Sequence, residues 1–294
     1  ILPPIEIPSG GGLAGEITGE RCLRETGMRT AFIGGGVMAE AILSRALSDG
    51  VLTASDVCLA EPVDARRGAV ANSYGVSVTA SNQDATADAG LVIVAVKPQH
   101  LDHVLADLAG KLSALQTVLS IVAGVPIAKF TKSLGHEAVI RVMPNTPAQI
   151  GQGMSVWTAT AAVPKEALEM SAALLRALGQ EWYVADEGYL DMATAVSGSG
   201  PAYVFAFIES LVEAGVYLGM PRDMATTLAV QTVAGSAELA RGSELSPAAL
   251  RDMVTSPGGT TAEALRALEA HGFHSTLLEA VTAAHRRAKE LGGS

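Results

Sequence analysis

Cysteine is nearly absent from this chain of 294 residues, which holds only Cys22 and Cys58. Two cysteines form neither a metal-binding spacing nor a disulfide framework, so a reducing cytosol is the expected setting. Basic residues are also scarce: 20 Lys and Arg stand against 30 Asp and Glu, a net charge of −10. That balance argues against nucleic acid and against an anionic membrane surface as partners. Uninterrupted apolar runs are short, and one of the longest, Leu91 to Val96, falls far below a membrane span. No group of His, Cys and carboxylates has metal-ligand spacing, so no metal is implied. Aromatics make up 4% of the chain although 49% is apolar. Alanine and glycine fill the difference, which suits close-packed helices and a glycine-turned α/β sheet better than an all-β fold.

The length allows one large domain or two. Residues 1–27 stand apart: Pro3, Pro4, Pro8 and the run Gly10 to Gly12 carry no periodicity. With no basic start and no apolar core, a signal peptide is not expected there. They read as an extension foreign to the rest of the chain, with Met28 as a candidate native start.

From Thr30 the pattern is regular. Thr30 to Ile33 reads as a buried strand, and Gly34-Gly35-Gly36-Val37-Met38-Ala39 opens a helix to about Leu47. Gly34, Gly36 and Ala39 make the G-x-G-x-x-A form of the dinucleotide fingerprint. The first glycine permits the turn, the second lets a pyrophosphate reach the backbone, and the small Ala39 lets helix and strand pack. Val57 to Ala60 is the next strand, with Glu61 just past its end. An acid there usually accepts from the adenosine ribose hydroxyls and favours NADH. Arg66 and Arg67 follow closely, however, and an arginine there can hold a 2′-phosphate, so the cofactor stays open between NADPH and NADH.

Further strands are expected at Val76 to Val78, with Ser81-Asn82 as a helix start behind it, and at Leu91 to Val96. Others are expected at Val118 to Ile121, Ile140 to Val142, Met154 to Thr158 and Trp182 to Val184, with a helix from Pro164 to Leu178. Parallel strands turn their carboxyl ends to the ligand crevice. Lys97-Pro98, Val122-Ala123-Gly124 and Pro144-Asn145-Thr146-Pro147 follow such ends. After about Asp186 only helices are expected, at Pro201 to Leu218, Pro221 to Arg241, Pro247 to Met253 and Ser275 to Leu291. The first is apolar almost all round apart from Glu209 and Glu213, which marks a buried helix or a subunit interface. The expected architecture is therefore an N-terminal Rossmann-type doubly wound sheet over residues 28–190, then an all-α domain over 191–294.

Val254-Thr255-Ser256-Pro257-Gly258-Gly259-Thr260-Thr261 is a loop entering a helix that runs through Glu269. Thr260 and Thr261 offer capping hydroxyls. Free N–H groups and the helix dipole favour an anion in front of such a start, and a carboxylate fits. The helical half holds Lys289 as its one lysine and no histidine before His271, which speaks against a hydroxyacid dehydrogenase needing a general base. A cyclic imine asks less: its nitrogen is basic, so the protein need only place the carbon and supply one hydrogen bond.

Several stretches together resemble the Δ1-pyrroline-5-carboxylate reductase family, the last enzymes of proline biosynthesis. They are Phe32 to Met38, Ala95 to Pro98, Ala123 to Val125, Met143 to Pro147, Val196 to Tyr203 and Val254 to Thr261. They come in the family's order, and the resemblance runs from Met28 to the end. It implies reduction of pyrroline-5-carboxylate to L-proline by NADPH or NADH, with NADPH slightly favoured. By the same resemblance Ser256, Gly258, Gly259, Thr260 and Thr261 bind the substrate, with Glu244 near it, and the Thr261 hydroxyl serves the imine nitrogen. Ile33, Gly34, Gly35, Gly36, Val37 and Met38 take the pyrophosphate side. Glu61 and Asn82 take the adenosine end, and Ala95, Val96, Lys97, Pro98 and Ala123 the ribose and nicotinamide. The family further implies a cytoplasmic homodimer with interlocked helical domains, joined in some members into rings such as a decamer. Two alternatives stay open, a reductase of another small cyclic imino acid and a non-catalytic nucleotide-binding regulator.

Overall fold

The computed structural model describes residues 27–292; apart from Gly27, the expected N-terminal extension lies outside them. Eight strands form one sheet: β1 (Thr30–Ile33), β2 (Val57–Ala60), β3 (Ser77–Thr79), β4 (Leu91–Val94), β5 (Thr117–Ser120), β6 (Val139–Met143), β7 (Gly153–Ala159) and β8 (Gly179–Tyr183). Their order is β3-β2-β1-β4-β5-β6-β7-β8. The first six are parallel, β7 runs antiparallel to β6, and β8 follows β7 in parallel. The order 3-2-1-4-5-6 is the doubly wound one, whose crevice opens where the order reverses between β1 and β4. Strand positions match the sequence reading to within a few residues. The largest shift is β8, which begins at Gly179.

Both faces of the sheet are covered. Phe32, Leu59, Leu91 and Ile93 point into one core with α1 (Val37–Ser48) and α6 (Lys165–Ala177). Ala31, Ile33, Val92 and Val94 point into the other, against α4 (Pro98–Leu108) and α5 (Ile127–Leu134). This period-2 division explains why β4 is apolar at every position: with helices on both sides, no residue faces water. Each fully buried Leu, Ile or Phe contributes about 1.5–3 kcal/mol.

Arg141 breaks the apolar rule inside β6. Its side chain is 6% exposed and reaches Glu187 at 2.9 Å and Asp191 at 2.8 Å. Asp191 lies in α7 (Gly188–Ala193), and Glu187 also accepts the Ile127 N–H at the start of α5. Three elements meet on one guanidinium. Removing a partner from such a buried pair typically costs about 3–5 kcal/mol.

Two compact units emerge. One comprises the described residues through Pro201 together with Val281 to Gly292; the other is Ala202 to Ala280. Where sequence placed a boundary near residue 190, the units divide between Pro201 and Ala202, and residues 281–292 belong with the sheet. Among the described residues no strand follows Tyr183. The helices are α8 (Gly200–Tyr217), α9 (Arg222–Gly242), α10 (Pro247–Met253), α11 (Thr260–Ala270) and α12 (Phe273–Gly292), joined to α7 by a π turn at Thr194–Gly198.

α8 is not buried by its own chain. Val204, Phe205, Phe207 and Leu211 are exposed, and the unit's core is small: Val212, Ala225 and Ala229, with Ile208 and Val216 against them. An apolar helix left so open needs a second surface to cover it. The helical stretch Gly188–Tyr217 is 30 residues with hydropathy 1.2, which is long and apolar enough to cross a membrane. Uninterrupted apolar runs in the sequence are all shorter, because polar residues punctuate a helix that continues through the π turn.

Candidate active site

The first βα turn is built from three glycines with different reasons to be glycine. Gly34 has φ +97°, and a Cβ there would lie 3.0 Å from the Ala95 carbonyl oxygen and from Val96 Cγ1. A Cβ on Gly35 would meet Glu61 Oε2 and Leu59 Cδ2, both at 3.3 Å. A Cβ on Gly36 would meet nothing within 4 Å. Neighbouring protein therefore requires the first two, while the third leaves space. Gly36 is also the N-cap of α1 and supplies no side-chain cap, so the first N–H groups of α1 stand free beside that space. Such a helix start with an open cradle accepts a phosphate group. Ala39 is 0% exposed, which lets α1 lie close on the sheet.

Glu61 follows β2, and its backbone N–H bonds to the Thr79 carbonyl of β3. Its carboxylate accepts from Gly35 N–H at 2.9 Å and from Val63 N–H at 3.0 Å. Arg66, on α2 (Asp64–Tyr74), donates Nε–H to the Gly35 carbonyl at 2.6 Å and meets Glu40 at 2.5 Å. Tyr74 donates to the other Glu40 oxygen at 2.9 Å. The Arg66 hydrogen bond, with that of Tyr74, holds the Glu40 carboxyl below the usual carboxylate range against the pull of burial. The glycine turn is thus gripped from both sides.

A cleft of about 470 Å³ opens over this turn. Of the expected cofactor residues it brings together Gly34, Gly35, Gly36, Glu61, Asn82, Ala95, Val96 and Lys97. The others do not line it. Ile33 is fully buried beneath the turn, Val37 is 64% exposed on the first turn of α1, and Met38 packs on the core. Pro98 is the first residue of α4, and Ala123 precedes Gly124, which packs under Leu291 of α12. Arg66 acts on the turn from behind. Asn82 donates to Asp107 at 3.0 Å, and Gln83 does so at 2.6 Å. These bonds, that of Gln83 foremost, hold the Asp107 carboxyl low.

The cleft also recruits residues that sequence reasoning passed over: Ala60, Pro62, Val63, Ala80, His100, His103 and Val104. His100 and His103 carried a usable signal, since they lie three apart at the start of the helix that follows β4. A second cleft, of about 180 Å³, is lined by Arg29, Asp56, Cys58 and Asp88 among others at the amino ends of the strands. That is the wrong end of a doubly wound sheet for a ligand. Burial pushes the Cys58 thiol up.

In the helical unit, Thr255 donates its hydroxyl to the Arg251 carbonyl at 2.7 Å, closing α10. Gly259 N–H then bonds to the Ser256 carbonyl at 3.0 Å, and Gly258 takes φ +68° to make the turn. The sequence expectation of threonine capping needs correction. Gly259 is the N-cap of α11 without a side-chain cap, and Thr260 and Thr261 are its first two helical residues. With no side-chain cap at Gly259, the first N–H groups of α11 are left uncovered. Among the described residues neither hydroxyl has a hydrogen-bond partner, and Ser256 is exposed. Glu244 sits exposed in the turn between α9 and α10. No group of three or more His, Cys, Asp or Glu among the described residues is placed to hold a metal ion.

Comparison with known proteins agrees with this division of labour. Residues 187–291 match the family model described as pyrroline-5-carboxylate reductase dimerisation, and residues 29–124 match that described as NADP oxidoreductase, coenzyme F420-dependent. The pyrroline-5-carboxylate reductase of Synechocystis is 45% identical, covering 90% of this chain and 98% of its own. A solved structure of the Coxiella burnetii enzyme superposes with a TM-score of 0.83 at 34% identity, over 90% of this chain and 98% of that one. The Plasmodium falciparum pyrroline carboxylate reductase, solved with NADP bound, gives 0.82 at 30% identity with the same coverage. An uncapped phosphate cradle on a doubly wound sheet, an apolar helix awaiting a partner and relatives alike over nearly their full length lead to one conclusion: the chain belongs to the pyrroline-5-carboxylate reductase family.

Proposed function

We propose that this chain reduces 1-pyrroline-5-carboxylate to L-proline with NADPH or NADH, as a cytoplasmic homo-oligomer built from dimers. Residues 28–190 handle the cofactor and residues 191–294 the substrate and dimerisation. The observation that carries the reading is the α11 start, where the uncapped N–H groups of Thr260 and Thr261 adjoin a threonine hydroxyl with no partner among the described residues.

The bound nicotinamide supplies a hydride. In this reading the imine carbon takes it, the nitrogen takes a proton, and the C=N double bond becomes a single bond. The α11 N–H groups hold the substrate carboxylate, with Gly258 and Gly259 leaving room for close approach. The Thr261 hydroxyl donates to the imine nitrogen, favouring charge as it develops there. Ser256 and Glu244 border the substrate. On the cofactor side, the space over Gly36 and the free N–H groups of α1 suit the pyrophosphate, and the turns at Ala95 to Pro98 and Ala123 suit the ribose and nicotinamide.

Exposed Val204, Phe205 and Phe207 on α8 support burial against a second copy. Rings of such dimers, a decamer among them, are tested by light scattering. The reaction is tested by following nicotinamide oxidation with pyrroline-5-carboxylate beside cyclic imino acids of other ring sizes. Turnover confined to a different ring would make this a reductase of that imine. No turnover with any, in folded oligomeric protein that binds nucleotide, would make it a regulator.

A further inference from the structure

We infer that the anchored carboxylate of Glu61 makes the cofactor site select a nicotinamide dinucleotide that lacks a 2′-phosphate, so that NADH is the preferred reductant. The inference rests on the dinucleotide reading of the cleft but not on the identity of the imine.

The pyrophosphate cradle lies at the β1–α1 turn, and β2 is the neighbouring strand on the side away from β4. A dinucleotide lying across this turn carries its adenosine ribose to the end of β2, where Glu61 stands. Both Glu61 oxygens line up on backbone N–H groups, Oε2 on Gly35 and Oε1 on Val63. A carboxylate oxygen accepts more than one hydrogen bond, so each still has a lone pair for a ribose hydroxyl. A 2′-phosphate would replace that donor with a second anion. Glu61 would have to give up both N–H partners to swing away from it.

The arginines that raise the opposite expectation are already committed. Arg66 is bonded to the Gly35 carbonyl and neutralised by Glu40, which Tyr74 also holds. Arg67 donates to the carbonyls of Glu61 and Pro62 at 2.8 and 3.3 Å and pairs with Asp64 at 2.5 Å. Neither lines the cleft. Its basic residues, Lys97, His100 and His103, follow β4, two strands from β2. A phosphate carrying about −1.5 to −2 charge would therefore meet a fixed carboxylate whose two neighbouring arginines are already engaged.

The test is calorimetric titration of the full-length oligomer with NADH and NADPH, and with two fragments lacking nicotinamide, AMP and adenosine 2′,5′-bisphosphate. NADH and AMP should each bind about 10- to 100-fold more tightly than the 2′-phosphorylated counterpart. Glu61→Gln keeps the shape and removes the charge, and Glu61→Ser removes both. Each should bring the NADPH-to-NADH ratio of Kd toward one, with thermal melting as the check on folding. Equal or tighter binding of the 2′-phosphorylated ligands by the wild-type protein overturns the inference without any variant. So does an unchanged ratio in folded Glu61→Gln. Binding of neither dinucleotide would overturn the cofactor reading and this inference with it. Discrimination between the nucleotides without imine reduction would sink only the proposed reaction.

Discussion

Asn145 and Ser197 are joined by the two hydrogen bonds that Asn145 Nδ2 donates, to the Ser197 hydroxyl at 3.1 Å and to its carbonyl at 3.3 Å. The Oδ1 of the same Asn145 accepts the Met154 N–H at 2.9 Å. One amide thus ties the turn after β6 to the start of β7 and to the π turn. Asn145→Ala should destabilise the protein by about 1–3 kcal/mol, because it leaves the Met154 N–H and the Ser197 carbonyl without that partner. Asn145→Asp keeps the acceptor for Met154 and should lose less. Urea unfolding of the two variants checks the order, and equal losses would show that repulsion between the new carboxylate and the Ser197 carbonyl cancels the retained Met154 bond.

Thr261→Ala should lower kcat by about ten- to a thousand-fold, the range for losing one transition-state donor, with a smaller change in KM. Steady-state kinetics with pyrroline-5-carboxylate decide it. Turnover at the wild-type rate would take the hydroxyl out of the mechanism.

The glycine turn offers a contrast between two neighbours. Gly34→Ala forces a side chain into a left-handed backbone against the Ala95 carbonyl and should lower stability by at least about 1–2 kcal/mol. Gly36→Ala has φ −70° and no neighbour to strike, so its melting temperature should hold while dinucleotide affinity falls about tenfold or more. A Gly36→Ala protein that binds like wild type would move the pyrophosphate elsewhere.

Arg66→Ala should weaken NADH and NADPH alike, by about tenfold, because it frees the Gly35 carbonyl that shapes the turn for either ligand. Titration with both cofactors reads this directly. A loss confined to NADPH would instead mean that the guanidinium reaches the 2′-phosphate.

Glu40 links this turn to pH. Its folded-state carboxyl titrates below the ordinary range, chiefly through the Arg66 hydrogen bond. The stability it contributes is therefore complete above the unfolded carboxyl's range and disappears as pH falls through the folded value. Glu40→Gln should be less stable than wild type near neutrality, by less than about 1 kcal/mol since the pair is one-third exposed. The gap should close in acid. Unfolding free energies of both proteins across an acid series test this; a gap independent of pH would assign the loss to packing.

Much of the fold is legible in the chain itself. Unbroken apolar residues at Leu91 to Val94 announce a strand covered on both faces, and the Gly34, Gly36, Ala39 spacing announces the turn beside it. What is not legible depends on partners distant in sequence. Glu61 and Arg66 look like competing signals for the cofactor, because nothing local says that Glu40 and Gly35 have claimed the arginine. Thr260 and Thr261 look like caps because composition marks a helix start only to within a residue or two. The fate of α8 is half visible: its all-round apolar character is plain, but not that its own chain leaves Phe205 and Phe207 uncovered.

The seating of Gly124 beneath Leu291 has a consequence for biosynthesis. A Cβ at Gly124 would come within 2.8 Å of Leu291 Cβ, so the end of α12 closes directly on the turn after β5. Because residues 281–292 belong to the sheet-containing unit, a nascent chain emerging from the ribosome makes all of Ala202 to Ala280 before those residues can join it. Contacts so far apart in sequence form slowly. The sheet must wait, with one end of β5 uncapped, until the whole helical unit has been synthesised, and that interval is when a growing polypeptide is most in need of a chaperone.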